Sequence, residues 1–383
     1  MADLQDDLHP ATEVGRLDER AEPPSFVDEG IVVPPDPAPP LSGPDDSPLT
    51  RARAVLAVHP VADGCSGLPQ VLRSLPWYDL DLGDSAVEAD LPRLRAGHVG
   101  AVFWSLDLPD AGDGGRAVVA ALDQLDLARS VVTAHDEGLL PAGSAGEVAD
   151  ARHRGRIAVL FGPVQASAMG DSLAVLRALH GLGLRVLSLH GTSWAGPAGL
   201  TRFGEEVVRE MNRLGVLPDL TDASARTVRR VLDVSRAPAL FTRSAACALR
   251  PHPANLPDDL LAEVGAAGGL CLVPLTAEQA GPTVRDVADH LDHVRRTAGP
   301  ESVGLSGTYD TGSAHPQELP DTSGYPTLVA ELLRRGWSEA EVGLVTWGNV
   351  QRVLRAADFT ARAARHRRPP STATITDLDG GGR

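Results

Sequence analysis

The sequence predicts a (β/α)8 barrel, on three observations. Short apolar runs that end at Gly, Pro or polar residues recur eight times. Stretches of helical period lie between them. One repeat, Gly155 to Gly196, reads in full as strand, helix, strand. Its Ile157 to Phe161 is continuously apolar, the pattern of a strand buried on both faces. Asp171-Ser172 then opens a helix with Leu173, Val175, Leu176, Leu179 and Leu182 near a 3.6-residue period, stopped by Gly181 and Gly183. Arg185 to His190 is the next strand, and parallel strands need such a crossover. His190 falls at a carboxyl strand end, where parallel α/β folds carry chemistry. A doubly wound open sheet is the alternative, but no GxGxxG follows the first strand, so a dinucleotide site is not expected.

The elements follow in order. Thr50 to Arg53 starts a short helix. Strands are expected at 59–65, 99–105, 157–161, 184–190, 216–222, 238–243, 270–274 and 302–306. Helices are expected at 116–135, 203–214, 258–267, 284–298, 325–335 and 338–359, and Ser224 caps another. The barrel is thus assigned to residues 51–365. Residues 1–50 hold 12 acids against two Arg, with 10 Pro, and read as a disordered acidic tail. Residues 366–383 read as a loose C-terminal tail.

Composition excludes several classes. The chain has no lysine, so all 35 basic residues are Arg, which rules out a Schiff base or a Walker P-loop. A net charge of −16 argues against nucleic-acid binding. No apolar run reaches the roughly 20 residues of a membrane span, and the first residues lack a secretory pattern. Cys65, Cys247 and Cys271 form no CxxC, which fits a reducing, cytoplasmic setting. No GxSxG elbow supports a Ser/His/Asp triad. His290 and His293, at i and i+3 on a helix, are expected on the surface.

Several stretches resemble the membrane (renal) dipeptidase family, peptidase family M19. They include HPVADG at 59–64, SLAVLRALHGLGLRVLSL at 172–189, FGEEVVREMNRLGVLPDL at 203–220 and GYPTLVAELLRRGWSEAEV at 324–342. The resemblance implies a metal-dependent-hydrolase barrel with a two-zinc dipeptidase site. It also implies that this chain lacks the ligands. Where the family has a His-x-Asp pair after the first strand, Cys65 and Gly67 stand here. The bridging glutamate position falls on Val164, or on Gln165 with a one-residue shift. At the fourth strand the ligand position holds Gly191, with His190 one residue early, and at the fifth Asp222 stands in for a His. The family's Gly-Asp-(Tyr/Phe)-Asp-Gly reads Gly307-Thr308-Tyr309-Asp310, with Thr308 at the catalytic Asp. The substrate-binding Arg is replaced by Ala254.

Two dications about 3.5–4 Å apart need a bridging carboxylate to offset their repulsion. Val, Gly and Thr cannot supply it. The expectation is a pseudoenzyme without cofactor that binds a small peptide or pairs with itself or an active paralogue. The alternative is a zinc metallodipeptidase with a rearranged site, for which Cys65, His190 and Asp222 are the candidate ligands. Arg243 is a newcomer at the end of strand six, and adjacency to strand five predicts an Asp222–Arg243 ion pair.

Overall fold

The computed structural model describes residues 47–84, 86–106, 108 and 114–380. Eight parallel strands close into a barrel: β1 (Val61–Ser66), β2 (Val99–Leu106), β3 (Ile157–Gln165), β4 (Val186–Ser188), β5 (Leu217–Asp219), β6 (Leu240–Phe241), β7 (Leu270–Pro274) and β8 (Val303–Ser306). Neighbours in sequence are neighbours in space, and β1–β8 pairing completes the ring. Register is set by pairs such as Ala101↔Ala158, Val186↔Leu217 and Asp63↔Leu305.

Period two sorts each strand. Ala101 and Phe103, Ala158 and Leu160, and Leu270 and Leu272 join one apolar cluster, floored by Trp347, Val350 and Leu354 of the C-terminal helical region. Their alternates Val102, Trp104, Val159, Phe161, Cys271 and Val273 join a second cluster with the surrounding helices. Both faces are therefore buried, which is why the strands read as unbroken apolar runs rather than as alternation.

Several expectations are corrected. Helix Pro48–Val58, with Ser47 accepting from the Thr50 N–H at 3.2 Å, begins inside the span assigned to the tail. The rest of that acidic stretch, 1–46, lies outside the described residues. A short strand, Leu139–Pro141, flanks the start of β3, and helix Ala145–His153 follows it. Neither has an apolar run long enough to be read from sequence. The 338–359 helix is three pieces: Glu339–Gly343, a π turn at Leu344–Gly348, and Asn349–Arg367, which runs past 365. His290 is buried, only 2% exposed, and its Nδ1 accepts from the Ala246 N–H at 3.1 Å. Burial lowers its pKa to about 4, which suits a neutral acceptor ring. Among the described residues no helix is long and apolar enough to cross a membrane.

The segment after Arg367 is not loose. Helix Ile375–Asp379 places Asp379 at the start of helix Arg202–Leu214, where its carboxylate accepts from Thr201 Oγ1 (2.5 Å) and Phe203 N–H (3.1 Å). Arg177 donates to the Ser371 carbonyl at 2.9 Å and to Glu210 at 3.0 Å. Glu210 is fully buried and also takes two hydrogen bonds from Arg213, at 2.9 and 2.8 Å. Burial works to raise its pKa, but the bonds from Arg213 and Arg177 outweigh it and hold the carboxyl below its usual value. Removing that charge strands two guanidinium groups. Glu210→Gln is expected to cost about 3–5 kcal/mol in urea unfolding, whereas the exposed Asp233→Asn stays within about 0.5 kcal/mol.

Candidate functional site at the barrel mouth

Two sets of strand ends build the mouth. In the first, the loop after β8 is sewn onto the end of β1. Thr308 N–H donates to the Cys65 carbonyl and Gly67 N–H to the Tyr309 carbonyl, both at 2.8 Å. The buried Asp63 carboxylate gathers the N–H groups of Gly307 (2.6 Å) and Cys65 (3.1 Å). Burial raises Asp63 to a pKa of about 6 against the pull of those two bonds. Gly67 is pressed against this loop: a Cβ on it would lie 2.3 Å from the Asp310 carbonyl oxygen. No side chain fits there unless the loop moves.

The same loop is backbone-strained. Thr308 and Asp310 have φ of 55° and 61°, and Asp222 across the mouth has 62°. Non-glycine residues avoid this region, a β-branched Thr most of all, and such outliers gather at functional sites. Asp310 is held by a reciprocal pair: Glu88 N–H donates to its Oδ1 at 2.8 Å, and its own N–H donates to Glu88 Oε2 at 2.6 Å. His315 completes the latch, with Nδ1 donating to the Leu275 carbonyl at 2.6 Å and Nε2 3.3 Å from Glu88 Oε2. Both ring nitrogens face acceptors, so the imidazolium is favoured.

In the second set, Asp219 at the end of β5 is the hub. Its carboxylate accepts from Ser188 Oγ of β4 (2.5 Å), Thr221 Oγ1 (2.8 Å) and Thr242 N–H after β6 (2.9 Å). Thr221 Oγ1 in turn accepts from Arg243 N–H at 3.3 Å. Between the two sets lies a cavity of about 220 Å3, with Thr221, Asp222, Arg243, Ala254, Thr276 and Thr308 among its lining.

The residues singled out from sequence are thus divided. Asp222, Arg243, Ala254 and Thr308 share the cavity. Among the described residues no salt bridge joins Asp222 to Arg243, so the expected ion pair is not formed, and the buried acid between β5 and β6 is Asp219. Cys65 is fully buried under the β8 loop. Val164 packs in the apolar core, while Gln165 pairs in register with Ser188. His190 is half-buried, and Gly191, at φ 71°, opens on empty space. Cys65, His190 and Asp222 are not brought together. Among the described residues, only Asp79, Asp81 and His135 hold three ligand atoms within 4.8 Å of one another, and that group is on the surface. Asp63, Glu88, Asp219 and His315 were not found from sequence. Asp219 at the end of β5 was legible as a polar break after an apolar run; Asp63 lies inside β1, and Glu88 and His315 sit in loops without any pattern.

The latch makes stability pH-dependent. Burial lifts Asp310 to a pKa of about 7 despite the N–H bonds it accepts, and the Glu88 charge adds to the rise. For His315, burial pulls down, but the Glu88 carboxylate and the Leu275 carbonyl outweigh it, so its pKa is raised. Groups raised in the fold stabilise it fully below their unfolded pKa and lose that contribution as pH climbs through the folded one. Asp63 and Asp310 therefore lose theirs as pH rises from about 4 to 7, and His315 above about 6.5. Glu88, lowered by its partners, is already charged and constant in that window. The melting temperature is expected to fall from pH 5 to 8, by roughly 2 kcal/mol of stability, with a shallower slope in Asp310→Asn.

The family model for membrane dipeptidase, peptidase family M19, matches residues 49–368. Dipeptidase 3 of Macaca fascicularis is 38% identical over 343 residues, spanning 84% of this chain and 70% of that protein. Dipeptidase verJ of Clonostachys rogersoniana is 34% identical over 341 residues, spanning 81% and 87%. Among solved structures, dipeptidase AC, a metallo peptidase of family M19, superposes with a TM-score of 0.71 at 25% identity, covering 78% of this chain and 98% of that one. With that length of match on a closed eight-stranded barrel, the chain belongs to the membrane dipeptidase family M19.

Proposed function

We propose that this member of the family has given up zinc chemistry and acts by binding a small peptide-like ligand at the barrel mouth. The packing at Gly67 carries the reading. The family's first-strand Asp would stand there, and the Asp310 carbonyl already occupies the space its Cβ would need. The donor set also disagrees with a two-zinc centre: Thr308 and Ala254 line the cavity, Val164 is in the apolar core, and Gly191 has no side chain. No hydrolytic step is derived through a metal that these residues do not fit. The cavity instead offers a carboxylate, Asp222, and several hydroxyls. Those groups suit the ammonium end and the amide of a short peptide.

A second reading is favoured by the names of the relatives, which are dipeptidases. In it the chain is a working zinc dipeptidase with a rearranged site. Metal content separates the two. Protein purified without chelator and equilibrated with zinc is expected to retain well under one ion per chain and to leave dipeptides uncut. Gly67→Asp is expected to destabilise by about 1–3 kcal/mol through overpacking, without gaining metal. Two retained zinc ions per chain, or turnover that a chelator abolishes, would overturn the proposal.

A further inference from the structure

A second cavity lies away from the mouth, beside the amino end of β6. It measures about 400 Å3, and four guanidinium groups line it: Arg209, Arg230, Arg236 and Arg368. They come from four separate places: helix Arg202–Leu214, helix Ala225–Val234, the turn into β6, and the segment after helix Asn349–Arg367. In a chain of net charge −16, such convergence runs against the overall field. The only acid in the lining is Asp233, whose side chain is 72% exposed.

The local acids do not balance the cations. Arg209 and Arg230 share Glu205, while Arg209 and Arg368 share Glu206. Asp233 reaches Arg230 at 3.9 Å. Among the described residues the Arg236 side chain makes no ion pair or hydrogen bond. The residue is exposed, but its backbone is fixed, because its N–H donates to Asn212 Oδ1 at 3.2 Å and its carbonyl accepts from Thr360 Oγ1 at 3.2 Å. Asn212 is buried and also takes the N–H of Ala237 at 2.8 Å, so the turn that presents Arg236 is rigid. The cavity thus has one exposed guanidinium on a fixed backbone and three more oriented by carboxylates, with Val234 and Ala364 also in its lining.

We infer that this cavity binds a phosphate-bearing small molecule. Four guanidiniums against Glu205, Glu206 and Asp233 leave one positive charge for an anion to answer, and guanidinium forks match phosphate oxygens two at a time. The volume of about 400 Å3 leaves room for more than one inorganic phosphate. Nothing in this inference depends on the chemistry of the mouth.

Calorimetric titration of the full chain with inorganic pyrophosphate, at constant ionic strength, tests it. Saturable binding is expected, weakened roughly tenfold or more in Arg236→Ala, because a charge-assisted hydrogen-bond pair is lost. Arg236 makes no side-chain bond to lose, so the variant folds; an unchanged melting temperature checks this. Arg73→Ala, on a distant helix, is expected to bind as the parent does. Vesicles containing phosphatidic acid are the second source of the same chemistry. Arg236-dependent retention on them without pyrophosphate heat would place the phosphate on a lipid headgroup. No saturable binding to either probe, equal binding by Arg236→Ala, or replacement of pyrophosphate by chloride at equal ionic strength would overturn the inference.

Discussion

A buried carboxylate closes the barrel. Asp63 sits inside β1 and draws in the Gly307 and Cys65 amides, pinning the end of β8 to the end of β1. Around that seam, the Cys65 carbonyl takes the Thr308 amide and the Tyr309 carbonyl takes the Gly67 amide. A buried carboxyl is costly unless its hydrogen bonds are made; Oδ1 takes both amides, while Oδ2 is buried without a hydrogen-bond partner among the described residues, and burial raises the pKa. The consequence of the seam at the mouth is steric: the loop drawn in over β1 leaves no room for a side chain at Gly67.

Across the mouth Asp219 plays the corresponding part for β4, β5 and β6, through Ser188, Thr221 and Thr242. Both hubs are acids whose partners are N–H and O–H groups of the chain itself. Asp222 and Arg243 remain facing the cavity between them. The strain at Thr308, Asp310 and Asp222 is held in place by these hubs, because hydrogen bonds on either side over-determine the backbone.

Electrostatics divides the molecule in the same way. With no lysine, every cation is a planar guanidinium able to bridge two acids, and the structure uses Arg335 in that manner, tying Glu331, Asp289 and Asp292 together. Similar bridges join Arg229 to Asp259 and Glu263, and Arg177 to Glu210. The cavity lined by Arg209, Arg230, Arg236 and Arg368 departs from charge balance, because Arg236 adds a fourth guanidinium to a group that shares three acids.

The barrel was legible in the residues because its strands are buried on both faces: β2, β3 and β7 are apolar runs whatever their partners, and Gly or Pro marks their ends. The family resemblance was legible too, in stretches such as residues 172–189 and 203–220. Short elements escaped. Leu139–Pro141 and Ile375–Asp379 are too brief to show a period, and they owe their form to β3 and to the start of helix Arg202–Leu214. Burial of His290, the Glu88–Asp310–His315 latch, and the choice of Asp219 over Asp222 as the buried acid were decided only by tertiary structure. Each depends on groups 23 to 222 positions apart meeting at hydrogen-bond distance, and pairing across such separations leaves no local pattern in a single chain.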